Sequence, residues 1–181
     1  MSMVLITRPE PNEAISYYHR YIDKVSDEDL GDQLIRQLRE VEQLFENVTD
    51  HDALARYAEG KWSIKEILGH LADSERIFSY RLLRIARGDT TPLPGFDQNP
   101  YVPAGRFDDR PLPMLLGELR AVRLSTAALL EGLPEEAWTR WGVMDGNPVT
   151  TRALAYIIVG HMWHHIGVLR ERYGLSALSI R

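Results

Sequence analysis

Apolar residues recur at steps of three and four along most of this chain, and that rhythm limits the fold more than any other feature. Leu30, Leu34, Leu38, Val41, Phe45 and Val48 keep the spacing, which on a helix of about 3.6 residues per turn lines one face. Leu112, Leu115, Leu119, Val122 and Leu129 repeat it between Pro111 and Gly132. Punctuation bounds these stretches. Ser26 with Asp27, Glu28 and Asp29 opens the 30–48 stripe, acids suiting the positive end of a helix. "SIKE", Ser63 to Glu66, is a capping-box pattern and opens a helix that Gly88 stops. A last helix starts near Thr150 or Thr151 and ends at Gly174, and a short first one covers about 12 to 24, after "PEPN". Strand-like alternation is hard to find and no repeat stands out. The expected fold is all-α: a four-helix bundle with an additional short N-terminal helix packed outside it or at one end. Two connections, 89–110 and 133–149, are long for such a bundle and are expected to cross it or cover a pocket.

Composition narrows the function. A chain of 181 residues with 44% hydrophobic content is expected to form one domain, 1–181, with a sizeable core. Its net charge of −5 argues against nucleic acid. There is no cysteine, which removes disulfides, thiolate nucleophiles and Cys-based metal sites, and with them any need of an oxidising compartment. The N-terminal "MSMVLITRPEPNEA" lacks a signal-peptide pattern and no apolar run is long enough to span a bilayer. A cytoplasmic protein with no membrane partner is expected.

Three of the six histidines, His161, His164 and His165, crowd into "GHMWHHIGVLRERYG" in the last helix. His161 and His165 point within roughly 40° of each other on a helix. That i, i+4 spacing lets two imidazoles reach one divalent ion. The pattern is not that of a metalloprotease, which would place a glutamate where Met162 stands. His164 lies roughly 100° away, beside Gly160 and Gly167, at a helix contact or a subunit boundary. A third ligand has to come from elsewhere. His70 sits roughly 10 Å inside its helix and His165 roughly 13 Å from the end of the last one, so the two levels match if those helices run antiparallel. His51 in a "TDHD" turn reads as solvated and His19 as a surface or packing residue. For each histidine taken singly, a packed imidazole bonded to a carbonyl or carboxylate is the ordinary alternative.

The stretches "RYAEGKWSIKEILGHLADSERIFSYRLLRIARGD", "LPGFDQNPYV" and "AYIIVGHMWHHIGVLRERY" together resemble the DinB-like, YfiT-like family of metal-dependent enzymes, over about residues 10 to 173. The resemblance implies a bundle in up-down-down-up order, frequently a homodimer, with one metal held by three histidines. Carried onto this sequence these are His70, His161 and His165. It implies hydrolases in some branches and reactions of low-molecular-weight thiols, as transferase or isomerase, in others, so the reaction has to be argued from the site.

Three imidazoles leave a divalent ion an open position. Zinc and nickel head the expected metals, with iron, copper or manganese also compatible with the donors. Asp73, one turn after His70, is a candidate to orient an imidazole or act as a base, and equally a partner for an arginine. Asp97 is a candidate to face substrate or simply make a turn, and Glu66 belongs to the capping box. Trp62, Tyr156 and Trp163 are candidates for a pocket wall, though core packing is the commoner role. Arg81, Arg84 and Arg87 could meet an anionic substrate, but pairing with acids is the preferred reading. The expected partner is a small molecule, with a low-molecular-weight thiol among the candidates. The expected function is thus a metal-dependent enzyme of hydrolase or thiol-transferase type; its rival is a non-catalytic dimeric scaffold that binds metal or serves a stress response.

Overall fold

The computed structural model describes residues 6–176. Its helices are α1 (Ser16–Ile22), α2 (Leu30–Phe45), α3 (Ile64–Ala86), α4 (Gln98–Gly105), α5 (Leu112–Glu131) and α6 (Thr151–Tyr173); strands β1 (Trp141–Met144) and β2 (Asn147–Thr150) form an antiparallel hairpin ahead of α6. No helix of the described residues is long and apolar enough to cross a membrane.

Side-chain bonds fix the directions of the four long helices. Gln33 meets Trp163 and Glu40 meets Arg170, so α2 and α6 climb together. Tyr173 Oη donates to the carbonyl of Trp62 at one end while His70 meets His161 further along, so α3 runs against α6. Arg123 donates to Gln37 and Arg120 to Glu42, so α5 runs against α2. The order is up-down-down-up.

The bundle buries two apolar clusters, one of Leu30, Leu34, Phe78, Leu82, Leu154 and Ile158 among others, the second of Val41, Leu44, Leu68, Leu115, Leu119, Ile166 and Leu169 among others. Each long helix passes from one cluster to the other through polar residues. Gln37 stands at that crossing on α2, Ser74 and Glu75 on α3, Arg123 and Thr126 on α5, and His161 on α6, all buried. Three of them form a chain: Glu75 pairs with Arg123 Nη2 at 2.7 Å, Arg123 Nη1 donates to Gln37 Oε1 at 3.0 Å, and Gln37 Nε2 donates to the Val159 carbonyl at 2.7 Å. Charges taken out of water are costly unless paired and hydrogen-bonded in this way.

The helices follow their punctuation. Ser63 Oγ accepts from Glu66 N at 3.0 Å while Glu66 Oε2 accepts from Ser63 N at 2.7 Å, which is the capping box read from the sequence. Thr150 caps α6 through Ala153 N, and Gly174 ends it in the left-handed region at φ 69°. α1 is shorter than the expected span of about 12 to 24. Residues 11–13 form a separate 3-10 turn, followed by extended Ala14.

Both long connections contain regular elements. α4 lies in the first, its N-terminus capped by Asp97 and its interior interrupted by Pro103. The hairpin lies in the second. Asp145 (φ 52°) and Gly146 (φ 73°) make its two-residue turn, the Asp-Gly pair whose left-handed conformation matches strand twist. Leu93 N donates to the Val143 carbonyl at 2.9 Å and Asp145 N to the Leu93 carbonyl at 3.0 Å. The first connection is thereby fastened to the second.

Candidate metal centre

His70 lies two turns into α3, at a depth set by the capping box, and His161 and His165 lie one turn apart in the middle of α6. Antiparallel α3 and α6 bring the three to one level. His70 Nε2 stands 3.2 Å from His161 Nε2, and one ring nitrogen from each of the three falls within 4.8 Å of the others. All three side chains are buried. Two nitrogens bound at about 2.0–2.1 Å to a tetrahedral ion stand about 3.3–3.4 Å apart, so the 3.2 Å contact suits a shared ion. The Nδ1 of His165 is buried without a hydrogen-bond partner.

Burial also decides the protonation state. Loss of water, with a smaller contribution from His164, holds His70 down at about 4. His161 and His165 lie well below the usual imidazole range, first because they are buried and then because neighbouring imidazoles would repel a second charge. Neutral rings are the ligating form. Ser74 Oγ stands 3.3 Å from His70 Nδ1. The tautomer that donates Nδ1–H to this hydroxyl leaves the Nε2 lone pair facing the other two histidines. Trp62 packs on the His70 ring with centroids 4.7 Å apart, and Tyr21 meets His161 edge-on at 5.3 Å.

The three histidines form one end of a cavity of about 540 Å³ whose walls include Tyr17, Tyr18 and Tyr21 of α1, Ser74, Phe78 and Arg81 of α3, and Gly95, Phe96 and Gln98 of the first long connection. The expectation that a long connection covers a pocket is met by residues 95–98. Asp145, in the hairpin turn, also faces this space and is the one carboxylate on its wall among the described residues.

The remaining candidates are distributed unevenly. Asp73 does not line the cavity; its carboxylate faces Arg76 at 3.4 Å, with burial raising its pKa. The hydroxyl that touches His70 belongs instead to Ser74, one turn on, at the i, i+4 spacing that signals such a contact in the sequence. His164 lines the cavity and packs edge-on to Tyr21 at 5.6 Å, outside the group of three. His19 donates through Nε2 to the Pro11 carbonyl, and His51 is exposed. Trp62 is on the wall, whereas Trp163 donates to Gln33 and Tyr156 to the Ile6 carbonyl, both away from it. Asp97 caps α4. Arg84 pairs with Asp89 and Arg87 ends α3, but Arg81 faces the cavity. Gly160 serves α1: a β-carbon there would stand 2.0 Å from the Tyr21 carbonyl oxygen, so its lack of a side chain admits an intramolecular neighbour rather than a second subunit.

The family model of the DinB superfamily matches residues 33–169. Among solved structures, one similar fold is YfiT from Bacillus subtilis, a probable metal-dependent hydrolase with an unusual four-helix bundle topology. It is 21% identical with a TM-score of 0.68, over 94% of this chain and 97% of that one. Another is a mycothiol-dependent maleylpyruvate isomerase, 13% identical with a TM-score of 0.66, over 87% of this chain and 64% of that one. At these identities the likeness is one of fold. No curated protein matches the chain.

Proposed function

The chain belongs to the DinB superfamily, and from that premise we propose that it is a metal-dependent enzyme whose divalent ion is held by His70, His161 and His165. The observation that carries the reading is the convergence of three buried, neutral imidazoles at the end of a cavity large enough for a small molecule. Three protein ligands are the donor set of catalytic zinc sites, whereas structural sites are closed by four. Zinc or nickel is the proposed metal, since imidazole suits both. A divalent ion there supplies Lewis acidity, which makes a water or thiol easier to deprotonate at neutral pH. The protein contributes the rest. Ser74 holds the His70 tautomer, Trp62 and Tyr21 fix the rings and shield them from water, and the aromatic walls position a substrate. The proposed reaction class is hydrolysis or transfer to a low-molecular-weight thiol; of two proteins of similar fold, one is called a probable metal-dependent hydrolase and the other a mycothiol-dependent isomerase, which supports the hydrolase and the thiol but does not name a transferase.

Metal content by mass spectrometry tests the site. Close to one ion per chain is expected for the wild type, lost in His70→Ala, His161→Ala and His165→Ala and kept in His164→Ala. No uptake of zinc or nickel by the folded wild type would overturn it. Metal-loaded protein is then assayed against esters, amides and thiol acceptors.

A second reading, a non-catalytic metal-binding scaffold, is favoured by the scarcity of carboxylates on the cavity wall, where Asp145 alone stands among the described residues. Turnover that requires metal and disappears in His165→Ala would end it. Pairing of two copies belongs to both readings, and residence in the cytoplasm is part of the same proposal. Since Tyr21 occupies the place beside Gly160, a dimer would use another surface, and a monomer by light scattering at micromolar concentration removes it.

A further inference from the structure

The arginines of α3 do not share one role. Arg76 meets Asp73 and Glu118, and Arg84 meets Asp89. Arg81, only 4% exposed, pairs with no carboxylate among the described residues. Its Nη2 donates to the Pro94 carbonyl, and its guanidinium lies 5.9 Å from both the Phe78 and the Phe96 ring centres, on the wall of the histidine cavity. A buried guanidinium without an ion-pair partner is costly, and this one lies on the cavity wall with only the longer-range charge of Asp145 to offset it.

Its position on the helix is as informative as its lack of a partner. Arg81 follows His70 by a spacing that returns to within roughly 20° of the same direction, about 16 Å along the axis. One face of α3 thus carries His70 at one end, Ser74 and Phe78 between, and Arg81 at the other, all four on the cavity wall. Other wall charges are Arg20, which donates to Tyr21 Oη at 2.9 Å and has no acidic partner among the described residues, and Asp145, which is outside ion-pair distance of Arg81. Arg20 is exposed and solvated, so Arg81 is the buried positive group on the wall that lacks an ion-pair partner among the described residues.

We propose that the cavity takes an organic carboxylate, its carboxylate on the guanidinium of Arg81, its apolar body against Phe78, Phe96 and Tyr18, and its far end at the three histidines. This rests on the preceding reading for the chemistry at the far end. The planar fork of arginine fits two carboxylate oxygens, which sets the ligand's direction as well as its charge.

Calorimetric titration with 3-phenylpropionate, 3-phenylpropionamide and phenylphosphonate tests the assignment, on zinc-loaded full-length protein and on the same protein stripped by chelator. The acid is expected to bind the stripped wild type on the order of tenfold tighter than the amide. Arg81→Gln should abolish that preference, Arg81→Lys should keep part of it, and His51→Ala, away from the cavity, should keep it whole. Circular dichroism identifies a variant that fails to fold, and the wild-type comparison of acid with amide needs no variant. Equal binding of acid and amide, no binding of the acid, tighter binding of the phosphonate, or a preference that survives Arg81→Gln overturns the proposal. The two readings fail separately. A wild type that takes up no zinc but prefers the acid sinks the metal centre alone, and one that takes up zinc but treats acid and amide alike sinks the carboxylate site alone.

Discussion

Ser74 has no charge and one hydrogen-bond contact to the histidine group, at His70 Nδ1, and a proton held on Nδ1 by that contact would leave Nε2 free for the ion. Outer hydrogen bonds of this kind commonly govern metal affinity. Ser74→Ala is therefore expected to weaken zinc binding by about 10-fold or more, measured by competition with a chromophoric chelator, while leaving the helix intact because alanine is the better helix former. His161 and His165 were legible as a pair from spacing alone, and His70 as a third from its level. What spacing could not supply was Arg81 as a wall residue: an arginine among acids reads as an ion-pair partner, and only the fold shows that Asp73, Asp89 and Glu118 are taken by Arg76, Arg84 and Arg110, while Asp145 acts on Arg81 from across the cavity without pairing.

At the level of elements, the helices announced themselves through caps, as Ser63 with Glu66 and Thr150 with Ala153 show. α4 and the hairpin did not. Pro103 inside α4 speaks against a helix, and strands of four residues are too short for alternation to register, although Asp145-Gly146 carried a turn signal. Neither could the sequence say which neighbour a glycine serves. Gly160 and Gly167, both on α6, now separate cleanly. At Gly160 a methyl group meets the Tyr21 backbone, while at Gly167 it meets nothing within 4 Å. Thermal and urea denaturation should show Gly160→Ala destabilised by about 1–3 kcal/mol as α1 is pushed away. Gly167→Ala should be unchanged or stabilised by up to about 1 kcal/mol, the ordinary gain of alanine over glycine in a helix.

Across the whole molecule, one buried chain of polar groups touches every long helix: Glu75 on α3, Arg123 on α5, Gln37 on α2 and the Val159 carbonyl on α6. Truncating the arginine strands a carboxylate in the interior. Arg123→Ala is expected to cost about 3–5 kcal/mol in urea denaturation, and Arg123→Leu combined with Glu75→Leu to recover much of that loss. The up-down-down-up order was legible only through family resemblance, because apolar stripes give the faces of helices and not their directions. The cavity's outer wall is organised on another basis. Residues 94–98 hang from Leu93, which is joined to the hairpin by two bonds between backbone atoms. Main-chain bonds do not depend on side-chain identity, so this wall can change at Phe96 and Gln98 without loosening its attachment, whereas Gly95 is held to glycine by Asp145, whose Oδ1 a β-carbon there would meet at 2.2 Å. Such a division would let descendants of one bundle diverge in what they accept while inheriting the same centre.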